Sequence, residues 1–360
     1  MYFGLSEEQR MIEDSFRKTL ERNVTLDSIR AVATGCVPLD HALWQELTSL
    51  GLPSLLIGEE FGGAELGLLE MAVAAEELGR TAAPVPFIAT AVMAPLALQL
   101  AGSPDQRERW LPALASGRMR IGVALAEQAA GARRNGGITA RGEKLYGKAN
   151  FTLDAGGANA CLIADARGRL YLLDMTAAGA KIVETRTIDG TRKLSEIHLD
   201  AADAEPLEAA DNWTCEHILN AGRIALAAES LGAAEEMLRR AVEYAKERRQ
   251  FDRSIASFQA VKHLCAEMAA ELEPCQSLVW YAAYAFDHLK EEAALSACLA
   301  KSHIDEVARF VARTATEVHG GMGYTDVMGL HFWFKRIGFN RAQLGGPERL
   351  RAEAAELQGF

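Results

Sequence analysis

The sequence predicts an α+β fold: an N-terminal helical domain (residues 1–117), a small central β-domain (118–206) and a C-terminal bundle of four helices (207–360). Three observations predict it. Apolar residues recur at helical spacing before residue 118. Short apolar or alternating runs, broken by Gly, Asp and Asn, follow to about residue 206. Long alanine-rich helical stretches then run to the end. Helices, a block of strands, then helices again is an α+β order, not an alternating βαβ one.

In the first region, Ser6 and Gln9 make a capping box ahead of Met11, Ile12, Phe16 and Leu20. Asp40 caps a second helix that ends at Gly51, and residues 66–78 give a third. Pro84 and Pro86 open an alanine-rich helix that stops near Gly102, where Ser103 and Pro104 start another. Strands are expected at 121–125, 160–164, 170–173, 181–185 and 196–199, a section too short and turn-rich for a parallel βαβ sheet. Helices are expected at 212–249, 256–287, 291–317 and 346–357, their alanines allowing close antiparallel packing.

Composition removes whole classes of function. With 38 Lys+Arg against 49 Asp+Glu the chain carries −11, a poor match for phosphate neutralisation along a nucleic acid. No run reaches ~18 uninterrupted apolar residues, so no membrane span is expected. Met1-Tyr2-Phe3-Gly4-Leu5 leads into a charged helix without a basic or apolar leader, and the expected compartment is the cytoplasm. The six cysteines, at 36, 161, 215, 265, 275 and 298, form no CxxC pair and are expected to be reduced thiols. His303 and Asp305 stand two apart, the wrong spacing to share a helix face, and no metal is expected. No GxGxxG, GxxxxGK[ST], GxSxG or HExxH occurs.

Two segments carry a chemical signal. Lys246-Glu247-Arg248-Arg249-Gln250-Phe251-Asp252-Arg253, with Phe258-Gln259-Ala260 after it, ends a long helix in paired arginines beside aromatics. A guanidinium fork there could hold a pyrophosphate, with an aromatic packing an adenosine, though a solvated helix end explains the charges too. Glu317-Val318-His319-Gly320-Gly321-Met322-Gly323-Tyr324 puts three glycines in four positions after a helix. That permits positive φ and close approach of a phosphate or flat ring, or simply stops the helix.

Together, in this order, the two segments resemble the acyl-CoA dehydrogenase family. The resemblance covers nearly the whole chain, including Pro53…Phe61-Gly62-Gly63 after the second helix, the β-segment and the ending Leu344-Gly345-Gly346. It implies the acyl-CoA dehydrogenase fold and an FAD between the β-domain and the C-terminal helices, with its adenosine half reaching a neighbouring subunit. Arg248, Gln250, Phe251, Gln259, Glu317, His319, Gly320 and Gly321 are the cofactor-binding positions it implies. The implied reaction is α,β-dehydrogenation of an acyl-CoA thioester, in which a glutamate removes the weakly acidic Cα proton.

Both places where the family carries that glutamate are empty here. One falls on Leu344, before Gly345, and the other on Gly222, before Arg223. The flavin-facing turn reads Ala126-Glu127-Gln128-Ala129-Ala130-Gly131-Ala132, so two expected hydroxyls become Ala126 and Ala132. The Trp-x-Thr-like site reads Phe151-Thr152-Leu153, in which the hydroxyl of Thr152 remains. Glu317 stands for a frequent Gln, and Asp252 for the usual Gly after the phenylalanine. The segments lent to a neighbour's FAD are thus kept, while those used on the chain's own flavin and substrate are altered.

That pattern resembles the base-lacking, FAD-arginine-bearing subunit of bacterial α2β2 steroid-degrading acyl-CoA dehydrogenases. It implies a second acyl-CoA dehydrogenase-like subunit carrying the glutamate, with a steroid-derived thioester among the candidate substrates. Three alternatives stay open: a self-sufficient enzyme with its base displaced to Glu229 or Glu348, a flavin-free structural homologue, and a flavin oxidase or monooxygenase. Seven residues of helix rise about 10 Å, past the ~3 Å reach of a base. Glu229 is therefore expected to be a structural carboxylate near Arg223, and Glu348 to cap the last helix beside Pro347.

Overall fold

The computed structural model describes residues 4–37, 39–130 and 137–360. Met1 to Phe3, and Gly131 and Ala132 of the altered turn, lie outside the described residues.

Helices come first: α1 (Glu7–Asn23), α2 (Leu26–Ala33), α3 (His41–Ser49), α4 (Leu68–Arg80), α5 (Ala94–Ala101) and α6 (Pro104–Ala115). The expected caps form. Ser6 Oγ accepts the Gln9 N–H at 3.1 Å while Gln9 Oε1 accepts the Ser6 N–H at 2.9 Å, and Asp40 Oδ1 accepts the Leu43 N–H at 3.0 Å. α2 adds to the expected set, capped reciprocally by Thr25 and Ser28. The alanine-rich helix does not begin at Pro84. Each proline forces the residue before it out of helical geometry, so the chain stays extended through Pro86 and enters a π-helical stretch, Ile88–Met93, before α5.

The sheet contains β1 (Ile121–Ala124), β2 (Gly137–Arg141), β3 (Lys144–Leu153), β4 (Ala160–Ala164), β5 (Leu170–Asp174), β6 (Ala180–Thr185), β7 (Leu194–Asp203) and β8 (Glu205–Pro206), with α7 (Ala126–Ala130) after β1. Their order is β6-β7-β3-β1-β4-β5-β8, with β2 on β3. Every pairing is antiparallel except β1 with β4. Alternation serves two cores: Leu162 faces the helices, while Cys161 and Ile163 pack within the β-domain. β2 and β3 were not expected. Gly147, at φ +114°, and two register shifts along β3–β7 break the alternation that would have announced them.

The C-terminal part runs α8 (Asn212–Glu247), a hairpin of β9 (Arg249–Gln250) and β10 (Arg253–Ser254), α9 (Gln259–His288), α10 (Lys290–His319), α11 (Leu330–Ala342) and α12 (Pro347–Leu357). The paired arginines thus stand just beyond α8, not in it. α11 is a further addition, hidden in the sequence because Arg336 and Asn340 are fully buried and spoil its amphipathic pattern.

α4 and α8 cross at glycines. A Cβ on Gly79 would lie 1.9 Å from the Glu229 carbonyl oxygen, and one on Gly232 would lie 1.9 Å from that of Glu76. Beside this crossing sits a buried ionic cluster. Arg336 Nε donates to Asp189 Oδ2 at 2.6 Å and Nη1 to Glu229 Oε1 at 2.6 Å, while Arg192 donates to Glu229 and to the Val85 carbonyl. The expected neighbour of Glu229 is thereby corrected: Arg192 and Arg336 hold it, not Arg223. Six residues turn an α-helix through about 600°, so Arg223 and Glu229 leave α8 on different faces.

Gly232→Ala should cost about 1–3 kcal/mol by forcing α4 and α8 apart. A urea midpoint equal to that of the wild type would refute this account of the crossing.

Candidate functional site

The two chemically suggestive segments meet at one corner. The Arg248 N–H closes α8 on the Tyr244 carbonyl at 2.8 Å, and the Tyr244 ring stacks on His319 with centroids 4.5 Å apart. That stack brings the end of α8 against the end of α10. His319 is buried and donates from Nδ1 to the Ala315 carbonyl at 2.7 Å, which leaves Nε2 as an acceptor with no partner among the described residues. Burial lowers its pKa and keeps it neutral.

Gly320 follows at φ +57°. A side chain added at Gly320 or Gly321 would meet nothing within 4 Å, so this backbone is open to a ligand or partner. At Gly323 a Cβ would come within 2.6 Å of the Thr316 carbonyl, so this glycine is needed for packing. Glu317 is exposed on the last turn of α10, above a cavity of about 420 Å³ lined by Arg309, Phe310 and Arg313.

The β9–β10 hairpin turns through Phe251 and Asp252, both left-handed at φ +53° and +61°. Such a two-residue turn suits glycine or asparagine, and a non-glycine residue there costs roughly 1–2 kcal/mol. Phe251 is 85% exposed on this turn, edge-on to Phe258 at 6.1 Å, and Arg253 lies 4.0 Å over the Phe258 ring. Arg248, Gln250 and Gln259 are exposed, and the Arg248 guanidinium has no ion pair among the described residues. A free guanidinium, an open glycine turn and a protruding aromatic suit an anionic group joined to a flat ring.

Gly222 and Leu344, the two positions where a glutamate was expected and is missing, also meet. A Cβ on Gly222, about a third of the way along α8, would lie 2.6 Å from Leu344 Cδ1 and 2.9 Å from Met93 Sδ. Leu344 is buried and left-handed at φ +53°. Arg223 holds it there, donating from Nε to the Leu344 carbonyl at 3.0 Å while its other nitrogens bind Glu353 at 2.7 and 2.9 Å. Neither alternative carboxylate is free. Glu229 is fully buried between two arginines, and its Oε2 accepts from Asn340 at 2.9 Å. Glu348 is exposed on the first turn of α12, where its Oε1 accepts from Arg341 at 3.1 Å.

On the sheet side, Ala126 opens α7 and Glu127 Oε1 accepts from Asn150 Nδ2 at 3.2 Å. Thr152 pairs with Ser195 in the β3–β7 register, and both hydroxyls are buried without a partner among the described residues. A cavity of about 360 Å³ opens between α7, the β4–β5 turn and the head of α8, lined by Glu127, Arg167, Asn212 and Glu216. Near it Trp213, His217 and Phe286 stack in series, with centroids 4.7 and 4.1 Å apart.

Sequence reasoning missed Tyr244 and the hold of Arg223 on Leu344. Tyr244 had a faint signal, an aromatic one turn before Arg248. The second link joins residues 121 apart and has none.

Comparison with known proteins shows the family and fold of the chain. Residues 6–118 match the family described as Acyl-CoA dehydrogenase, N-terminal domain, and residues 214–356 match Acyl-CoA dehydrogenase, C-terminal domain. Acyl-CoA dehydrogenase IpdE2 of Mycobacterium tuberculosis is 30% identical over 353 residues, covering 98% of each chain. The IpdE2 of Mycolicibacterium smegmatis is 28% identical over 357 residues, 99% of this chain and 100% of that one. Among solved structures, the Tcur3481–Tcur3483 steroid ACAD superposes with a TM-score of 0.89 at 30% identity over 98% of each chain. The ChsE4–ChsE5 complex from Mycobacterium tuberculosis gives 0.91 at 25% identity over 100% of each.

Burial, helped by Lys290, pushes His217 down to about 4 from 6.5. A depressed histidine favours the neutral folded form, so its contribution is full above pH 6.5 and is lost as pH falls from 6.5 to about 4. His217→Phe should flatten that part of the melting-temperature profile. An unchanged profile would show that His217 is not its source.

Proposed function

The chain belongs to the acyl-CoA dehydrogenase family of FAD-dependent oxidoreductases, and from that premise we propose that it completes the FAD site of a partner subunit that carries the catalytic glutamate. The observation that carries this reading is the length of α8. Gly222 and Arg248 are 26 residues apart, about 39 Å of helix rise, farther than one extended dinucleotide spans. The arginine corner and the vacated base position of one chain therefore serve different flavins. With Leu344 and Gly222 unable to take a proton, the corner has a purpose only at a site whose base comes from elsewhere.

In this reading Arg248 neutralises the pyrophosphate, with Gln250 and Gln259 beside it. The N–H groups of the Gly320–Gly321 turn take up polar atoms that water would otherwise satisfy, His319 backs that turn through its stack on Tyr244, and Phe251 covers a flat ring. Glu317 borders this group and adds negative charge that the neighbouring cations must offset. Bound FAD supplies the acceptor for the hydride leaving Cβ. The partner's glutamate takes the Cα proton, so this chain's task is to bind and orient, not to move a proton. The likeness to two complexes with paired names, one of them a steroid ACAD, supports a second related subunit and a bulky ring-bearing thioester as substrate. Domain limits near residues 117 and 206 belong to the same proposal.

Arg248→Ala should strip FAD from the complex, since a charged contact of this kind contributes on the order of 2–5 kcal/mol. Visible flavin absorbance that stays at the wild-type ratio to protein would contradict the assignment. Leu344→Glu, purified without a partner, should not turn over acyl-CoA. Turnover by that single variant, or by the lone wild-type chain, would end the two-subunit reading.

A further inference from the structure

Two backbone irregularities and one missing side chain converge on one point. α5 is entered through a π-helical stretch that ends at Met93, Leu344 takes a left-handed conformation that disfavours any side chain, and Gly222 has none. Strained or rare geometry held by surrounding structure points to a selected role, and here the holding is visible. Arg223 grips the Leu344 carbonyl, and Glu353 and Asn220 grip Arg223 in turn. The Leu344 tip and the Met93 sulfur take the space into which a side chain at Gly222 would project.

We infer that Leu344, backed by Met93 and fixed by Arg223, is an apolar plug that closes this chain's own thioester site. The inference rests on reading Gly222 and Leu344 as the vacated base positions. It goes further: loss of the base forbids chemistry, while the plug forbids the acyl group from entering at all. A leucine tip and a thioether fill the place of a carboxylate and the carbon it would deprotonate. Non-productive binding at the like-chain half of the assembly is thereby prevented, and substrate is left to the partner's site.

The test is calorimetric titration of the complex, partner included, with S-octyl-CoA, a thioether that cannot be dehydrogenated. Leu344→Gly keeps the left-handed turn, because glycine accepts that geometry freely, and removes the plug. Met93→Ala widens the same space from α5 and serves where the first variant does not assemble. One additional ligand bound per unlike pair of chains, relative to wild type, is the expected result. Equal binding numbers in wild type and the variants overturn the plug. The two-subunit reading fails by a separate result, turnover by the lone chain, so the two ideas fall independently.

Discussion

The structure depends on a cluster of charges that cannot reach water. Arg336 from α11, Arg192 and Asp189 from the loop before β7, and Glu229 from α8 meet where the sheet touches both sets of helices, none more than 4% exposed. Asp154, after β3, lies at its edge and accepts the Ala89 N–H at 3.2 Å, and burial pushes its carboxyl up despite the nearby Arg192. An unpaired charge at such depth costs about 3–5 kcal/mol, so the cluster forms only when all three regions arrive in register. It also sets the rotation of α8. Gly222 and Glu229 are seven residues apart and share a helix face, so fixing Glu229 turns Gly222 toward Leu344.

α8 then acts as a rigid spacer between two sites of opposite character. About a third of the way along it, Gly222 is sealed under Leu344 and Met93, and neither Gly222 nor Leu344 carries an acid. Its far end is polar, exposed and open, with Arg248, the strained Phe251 turn and the glycine turn of α10 joined by the Tyr244–His319 stack. Left-handed geometry at both turn residues is costly and is held by the hairpin between α8 and α9.

Much of this was legible in the sequence, for local reasons. Capping boxes, glycine stops and alanine-rich stretches report φ and ψ preferences within a few residues, so the starts of α1, α3, α6, α8 and α12 were anticipated closely. β3 and α11 were not. In β3 the bulges break the alternation by which a strand is recognised, and in α11 buried Arg336 and Asn340 look like surface residues to any pattern of polarity. Glu229 was rightly expected to be structural but was given the wrong arginine, because sequence proximity does not say which way a helix faces.

By itself the sequence determined the order of the three regions, the arginine-rich and glycine-rich residue types of the two segments, and the absence of a carboxylate at Gly222 and Leu344. These are statements about residue type and local backbone, which need no neighbours. Only the tertiary structure decided that the two segments share a corner, that Leu344 fills the space over Gly222, and that Glu229 is locked between arginines. Each is a contact between residues far apart in the chain, fixed by the rotation of α8 and the depth of burial, quantities that exist only once the helices and sheet have packed.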